Sequence, residues 1–181
     1  MRVITGKARG VQLKTPDGMT TRPTADRVKE ALFSIIQFEV PMARVLDLFG
    51  GTGQLGIEAL SRGAKSAVFV DAGEPACRLI KENLRRTKME SDAKVIRADY
   101  LDYLKRCRET FDIIFLDPPY AEVFLENALK CITEIDILQS GGIIVTERPL
   151  EKELPWEFEG FTRSKDYKYG KTVLTIYRKS G

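Results

Sequence analysis

The chain contains no histidine among its 181 residues. That removes imidazole acid–base catalysis and every His-ligated metal site. Three cysteines, Cys77, Cys107 and Cys131, are too few and too widely spaced for a disulfide framework or a thiolate zinc site. They are expected to be buried, reduced thiols on helices, and no metal is expected. No apolar run approaches the roughly 18 residues that span a bilayer. The opening MRVITGKARG has no apolar stretch of the kind a secretory signal needs. A cytoplasmic protein without a membrane partner is therefore expected. Internal repeats and low-complexity tracts are also missing.

What is present is ordinary globular material, with 43% hydrophobic and 30% charged residues. The length fits one domain, acting as a monomer: an extension over 1–40 and a core over 43–181. The net charge of +3 says little by itself. Its distribution says more. Residues 1–30 carry seven basic and three acidic side chains, or +4, which leaves 22 basic and 23 acidic, or −1, for the rest. A basic arm on a nearly neutral body suits a polyanionic partner, although chance clustering on a solvated surface gives the same pattern.

Residues 1–22 read as a short β-hairpin, RVITG against VQLKT, with PDG as a turn signal beyond. Thr24 has the chemistry of an N-cap, and Val28, Ala31, Leu32, Ile35 and Ile36 follow at helical spacing, predicting an amphipathic helix over 25–37. From residue 43 strands alternate with helices. The strands are ARVLDL (43–48), SAVFVD (66–71), AKVIRA (93–98), DIIFLD (112–117) and GIIVTE (142–147). Helices fill 54–62, 74–88, 100–107 and 121–136. This alternation predicts a parallel sheet with helices on both faces. The end breaks the rhythm, because 158–166 and 171–178 read as two strands joined at Tyr169-Gly170, a closing antiparallel hairpin. The fold class is therefore α/β, Rossmann-like, with a seven-stranded, mostly parallel sheet.

The first strand runs into Gly50-Gly51-Thr52-Gly53-Gln54-Leu55-Gly56. Read literally, Gly51-x-Gly53-x-x-Gly56 is a dinucleotide fingerprint, and Asp71 lies twenty residues on, at the end of the second strand. Asp47, three residues before Gly50, argues otherwise. A carboxylate there repels a pyrophosphate and attracts the sulfonium and ammonium of S-adenosylmethionine. Asp71 suits the ribose diol of either cofactor.

Asp117-Pro118-Pro119-Tyr120 follows the fourth strand and decides between them. Two prolines stop ladder bonding and stiffen the chain where open α/β sheets bind ligands. The turn gathers a carboxylate, a free carbonyl and an aromatic ring. An exocyclic amine on a nucleobase has a conjugated, weakly nucleophilic nitrogen. Acceptors at Asp117 and the Pro118 carbonyl can hold its hydrogens and accommodate the charge that develops on it. Tyr120 can stack on the base and align it with a methyl donor.

The segments DLFGGTGQLGIEALSRGA (47–64) and DPPY (117–120) resemble class I methyltransferases with an [Asp/Asn/Ser]-Pro-Pro-aromatic motif. RVITGKARGVQLKTPDG, RPTADRVKEALFSII (22–36) and the closing YGKTVLTIYRK (169–179) resemble the RsmD family more specifically, so the likeness covers essentially the whole chain. It departs from the family's usual residues at Gly50 (usually Ala), Thr52 (usually Ser) and Ser34 (usually Asn). The resemblance implies methyl transfer to the 2-amino group of a guanine in 16S ribosomal RNA, with the small ribosomal subunit as partner. It further implies that Asp47, Phe49, Gly51, Thr52, Gly53, Asp71, Asp99 and Tyr100 contact S-adenosylmethionine. Asp47, Gly51 and Gly53 would meet its methionine part, Asp71 its ribose and Asp99 its adenine. Asp99 reads equally as an N-cap. Arg22 and Arg27 are candidates for RNA phosphate contacts, with intramolecular pairing as the alternative. Because the tetrapeptide is shared with adenine 6-amino methyltransferases, that activity on DNA or RNA stays open, as does a non-catalytic assembly factor that binds RNA.

Overall fold

A computed structural model describes residues 1–16, 23–118, 121–154, 157–158 and 160–179. The strands are β1 (Arg44–Asp47), β2 (Ser66–Asp71), β3 (Ala93–Arg97), β4 (Phe111–Leu116), β5 (Leu138–Pro149), β6 (Glu157–Phe158), β7 (Phe161–Tyr169) and β8 (Thr172–Lys179). The helices are α1 (Pro23–Ile35), α2 (Gln54–Ser61), α3 (Glu74–Thr87), α4 (Tyr100–Arg106) and α5 (Ala121–Ile135). Each stretch expected as strand or helix from residue 43 onward forms that element, with ends shifted by a few residues.

The strands make one eight-stranded sheet in the order β3-β2-β1-β4-β5-β8-β7-β6. Neighbours from β3 to β5 are parallel, and β8, β7 and β6 add antiparallel pairs. The expected seven strands gain a two-residue edge piece, β6, too short to leave a periodic signature. The parallel strands read as apolar runs because helices cover both faces. Val45, Phe69, Ile113, Phe115 and Val145 belong to one core, beneath α1 and α2. Leu46, Val68, Ile114, Leu116 and Ile144 belong to the other, beneath α4 and α5.

The N-terminal segment pairs with itself as expected, in a minimal hairpin: Arg2↔Gln12 is an antiparallel bridge, Val3 N–H donates to the Val11 carbonyl at 3.0 Å, Leu13 N–H to the Met1 carbonyl at 2.8 Å and Gly10 N–H to the Val3 carbonyl at 2.9 Å. The pairing is short because other backbone donors of the segment go elsewhere. The N–H groups of Ile4 and Thr5 donate to the Glu58 carboxylate at 2.8 and 3.1 Å, and that of Ala8 to the Ser61 hydroxyl at 2.9 Å. The segment is thus fastened to α2 as well as to itself. Glu58 is fully buried and also pairs with Arg62 at 2.8 Å and Lys29 at 3.6 Å. Lys29, 3% exposed, therefore belongs to the interior and leaves the set of basic residues that could meet a polyanion. Helix α1 starts at Pro23, so Thr24 sits inside its first turn and not ahead of it. Cys77 and Cys131 are buried thiols on α3 and α5, as expected. Cys107 is only half-buried and lies one residue past α4. Among the described residues no helix is long and apolar enough to cross a membrane.

Candidate active site at the carboxyl edge of the sheet

The chain reverses direction across the sheet between β1 and β4, where neighbouring strands lead to opposite sides. Such a switch point opens a crevice at the carboxyl ends of the strands. The glycine loop leaves β1 on one side of it, and Asp117-Pro118 leaves β4 on the other.

The loop turns tightly into α2. Gly50 N–H donates to the Val70 carbonyl at 2.9 Å and Gly53 N–H to the Gly50 carbonyl at 2.8 Å. Gly53, the residue that opens α2, has φ +83°, a left-handed conformation that glycine adopts without steric cost. Gly56 meets a different demand. A Cβ there would lie 2.3 Å from the Phe69 ring, so only glycine lets α2 settle onto β2.

Two acids hold this loop. Asp71, at the end of β2, accepts from Gly51 N–H at 3.0 Å with one oxygen and from Gly73 N–H at 2.9 Å with the other. Asp47, at the end of β1, is 1% exposed and accepts from Gly56 N–H at 3.1 Å. Burial pushes the Asp47 carboxyl up to about 7; the Gly56 hydrogen bond pulls the other way and the Asp71 charge adds to the rise. Asp47 thus lies beneath the loop, a source of charge under it, and not on its outer surface.

A cavity of about 190 Å³ opens beside the loop, lined by Leu48, Phe49, Asp71, Ala72, Ala98, Asp99, Tyr100 and Phe124. The Phe49, Tyr100 and Phe124 rings form its aromatic wall, with centroids 5.1 to 6.1 Å apart. Phe124, on α5, carries no sequence signal of a ligand role; only the docking of α5 brings it here. Asp99 caps α4, accepting from Leu101 and Asp102 N–H at 3.0 and 3.3 Å, while still lining the cavity. The N-cap reading of that residue therefore holds. Gly51 and Thr52 line a separate, larger cavity of about 830 Å³ with Lys14 and Arg78 among others. The Thr52 hydroxyl donates to the Met1 sulfur at 3.4 Å, which folds the N-terminus against the loop.

Across the crevice, Pro118 is buried and Asp117 half-buried. Burial holds the Asp117 carboxyl well above its ordinary range, reinforced by the charges of Glu147 and Asp47. Glu147, on β5, is likewise raised by burial. Glu147 belongs to no motif in the sequence. The available signal was its place: like Asp47, Asp71 and Asp117, it is an acid ending an apolar strand run at the sheet's carboxyl edge. Pro119, Tyr120 and Arg22 lie outside the described residues. Arg27 is exposed on α1 and, among the described residues, has no ion-pair partner.

A sheet of this order, with a glycine loop after β1, a carboxylate ending β2 and an acid-proline pair after β4, defines a class I methyltransferase. The comparisons agree. Residues 1–178 match the family described as conserved hypothetical protein 95, the RsmD family, and the chain belongs to it. The Bacillus subtilis protein YlbH, named as a candidate rRNA methyltransferase, is 43% identical over the full length of both chains. Ribosomal RNA small subunit methyltransferase D of Haemophilus influenzae is 37% identical over 157 residues, 85% of this chain and 81% of its own. The solved structure of YhhF from Escherichia coli, titled as a candidate methyltransferase, superposes with a TM-score of 0.90 at 27% identity, covering 100% of this chain and 98% of that one.

Proposed function

We propose that the protein transfers the methyl group of S-adenosylmethionine to the 2-amino group of a guanine in the RNA of the small ribosomal subunit. The observation that carries the chemistry is the Asp117-Pro118 pair, which follows β4 at the same sheet edge where the glycine loop leaves neighbouring β1. Family membership and the names of the relatives supply the RNA and the subunit.

The cavity beside the loop fits this cofactor by its donor set. Flat apolar rings suit an adenine, and the Asp71 and Asp99 carboxylates can accept from ribose hydroxyls and the adenine amine. Asp47 adds negative charge beneath the loop that would hold the methionine part, with Gly51 and Gly53 supplying backbone at close range. When bound, S-adenosylmethionine supplies an electrophilic methyl carbon on a sulfonium.

The remaining work belongs to the chain. Asp117 and the Pro118 carbonyl accept from the two hydrogens of the target amine, orienting its lone pair toward the methyl and opposing the charge that builds on nitrogen. Burial raises the proton affinity of Asp117, so its carboxylate is suited to take up the proton that the methylated nitrogen sheds. Pro119 and Tyr120 join this proposal from sequence alone, Tyr120 as a stacking surface for the base. Arg27, with Arg22 by sequence, is placed on the RNA backbone, holding it while the base turns out of its stack.

The test incubates the protein with labelled S-adenosylmethionine and unmodified small subunits, free ribosomal RNA or DNA, followed by digestion to nucleosides. Label in 2-methylguanosine from subunits or their RNA supports the reading. Label in 6-methyladenine, or preference for DNA, overturns the substrate. Absence of transfer to any of them, with RNA bound, leaves the assembly-factor reading in its place.

A further inference from the structure

Glu147 lies in register beside Asp117. The last pair between β4 and β5 is Leu116↔Thr146, so the next residues on the two parallel strands are Asp117 and Glu147. Neighbouring strands run about 4.8 Å apart. Phe115 and Val145, two residues earlier on each strand, both belong to the core beneath α1 and α2. Side chains alternate along a strand, so Asp117 and Glu147 turn to that same face.

Stability does not account for an acid at this position. Two carboxylates side by side at a sheet end repel each other, and burial makes their charges more costly. The residue paired with Glu147 on its other side is Leu174, which offers no donor side chain. Among the described residues Glu147 has neither an ion pair nor a side-chain hydrogen bond, and it is only half-buried. Two neighbouring acceptors at a ligand-binding edge call for a ligand with two neighbouring donors.

We infer that Glu147 accepts a hydrogen bond from the ring N1–H of the target guanine, beside the 2-amino group held by Asp117, and so selects guanine over adenine. The inference rests on the proposed function and extends it to base selection. On its Watson–Crick edge guanine presents N1–H and the 2-amino group next to each other, both donors. That edge meets Glu147, Asp117 and the Pro118 carbonyl with acceptors opposite every hydrogen. Adenine presents its 6-amino group beside an N1 lone pair. Its amine could reach Asp117, but its N1 would then face the Glu147 carboxylate, acceptor against acceptor. Rejection of this kind leaves buried polar groups unpaired and discriminates strongly. An acid-Pro-Pro-aromatic turn common to guanine and adenine enzymes is thereby made guanine-specific by a residue outside the tetrapeptide.

The experiment uses small subunits reconstituted with the methylated nucleotide, located by the labelling above, as either guanine or 2-aminopurine. 2-Aminopurine keeps the 2-amino group but carries a lone pair at N1. The wild-type protein should prefer guanine by about ten- to a hundredfold in kcat/KM, the worth of a good base-edge contact. Glu147→Gln retains the shape and can donate its amide N–H to N1, so this preference should shrink at least about tenfold. Glu147→Ala should lose rate on guanine without gaining on 2-aminopurine. Calorimetry should show unchanged affinity for S-adenosylmethionine in both variants, which separates a base-reading role from a structural one. A guanine preference in Glu147→Gln equal to that of the wild type would overturn the inference while leaving the proposed function standing. A wild-type protein that labels no guanine 2-amino group would overturn both.

Discussion

Replacing Asp47 with asparagine should make the cofactor-free protein more stable above neutral pH, and the gain follows from the burial of that carboxyl. Its value is pushed from 3.8 up to about 7. At about 1.4 kcal/mol per unit, an ionised Asp47 costs the fold about 4 kcal/mol. The sign follows from the rise. Below pH 4 the group is largely protonated in the folded and the unfolded chain, and the cost is small. Between about pH 4 and 7 the unfolded chain ionises while the folded one keeps its proton, so stability falls. Above pH 7 both are ionised and the full cost is in place. The substituted amide would keep an oxygen to accept from Gly56 N–H and carry no charge. Asp47→Asn should therefore exceed the wild type by up to about 4 kcal/mol at pH 8, and by less than about 1 kcal/mol at pH 4. For a chain of this size that is a rise in melting temperature of about 8–16 °C at pH 8. Calorimetric melting of cofactor-free protein across this range reads it directly. A difference that does not change with pH, or a less stable variant at pH 8, would refute the reasoning. The same variant should bind S-adenosylmethionine about tenfold more weakly, since a nearby carboxylate no longer attracts its cationic groups. In the wild type the cofactor's cations favour ionised Asp47, so affinity should rise between pH 6 and 8.

Asp117→Ala should lower the single-turnover methyl-transfer rate by about a hundredfold or more, as loss of a transition-state contact does, with calorimetric affinity for the cofactor little changed. Gly56→Ala would force a methyl to within 2.3 Å of the Phe69 ring and should destabilise the protein by about 1–3 kcal/mol in urea unfolding. Arg27→Ala should reduce the salt dependence of RNA binding, its log–log slope falling by about one, while leaving the melting temperature and cofactor affinity unchanged.

The alternating core was legible because parallel strands buried on both faces are continuous apolar runs and the helices between them carry a different period. SAVFVD and Glu74-Pro75 mark their elements without help from the rest of the chain. The glycine loop was legible for a related reason: a strand-to-helix turn this tight admits few residue types, and Gly53 shows the left-handed backbone that demands one. The N-terminal hairpin was legible in its pairing of Met1–Val3 with Val11–Leu13, but not in its fastening to α2, because Ile4 and Thr5 find their hydrogen-bond partner 54 and 53 residues away, where a local pattern carries no information.

The sequence by itself determined the α/β alternation, the loop, the acid-proline turn and the family, because each is set by local backbone chemistry or by a contiguous motif. Tertiary structure alone decided how the acids divide their work. Asp47, Asp71, Asp99, Asp117 and Glu147 look alike as residues at the ends of apolar runs. Folding buries the first beneath the loop, commits the second to two backbone N–H groups, makes the third a helix cap on a cavity wall, and sets the last two side by side. The division arises from strand register and burial, which depend on residues far apart in the chain brought within a few ångströms of one another.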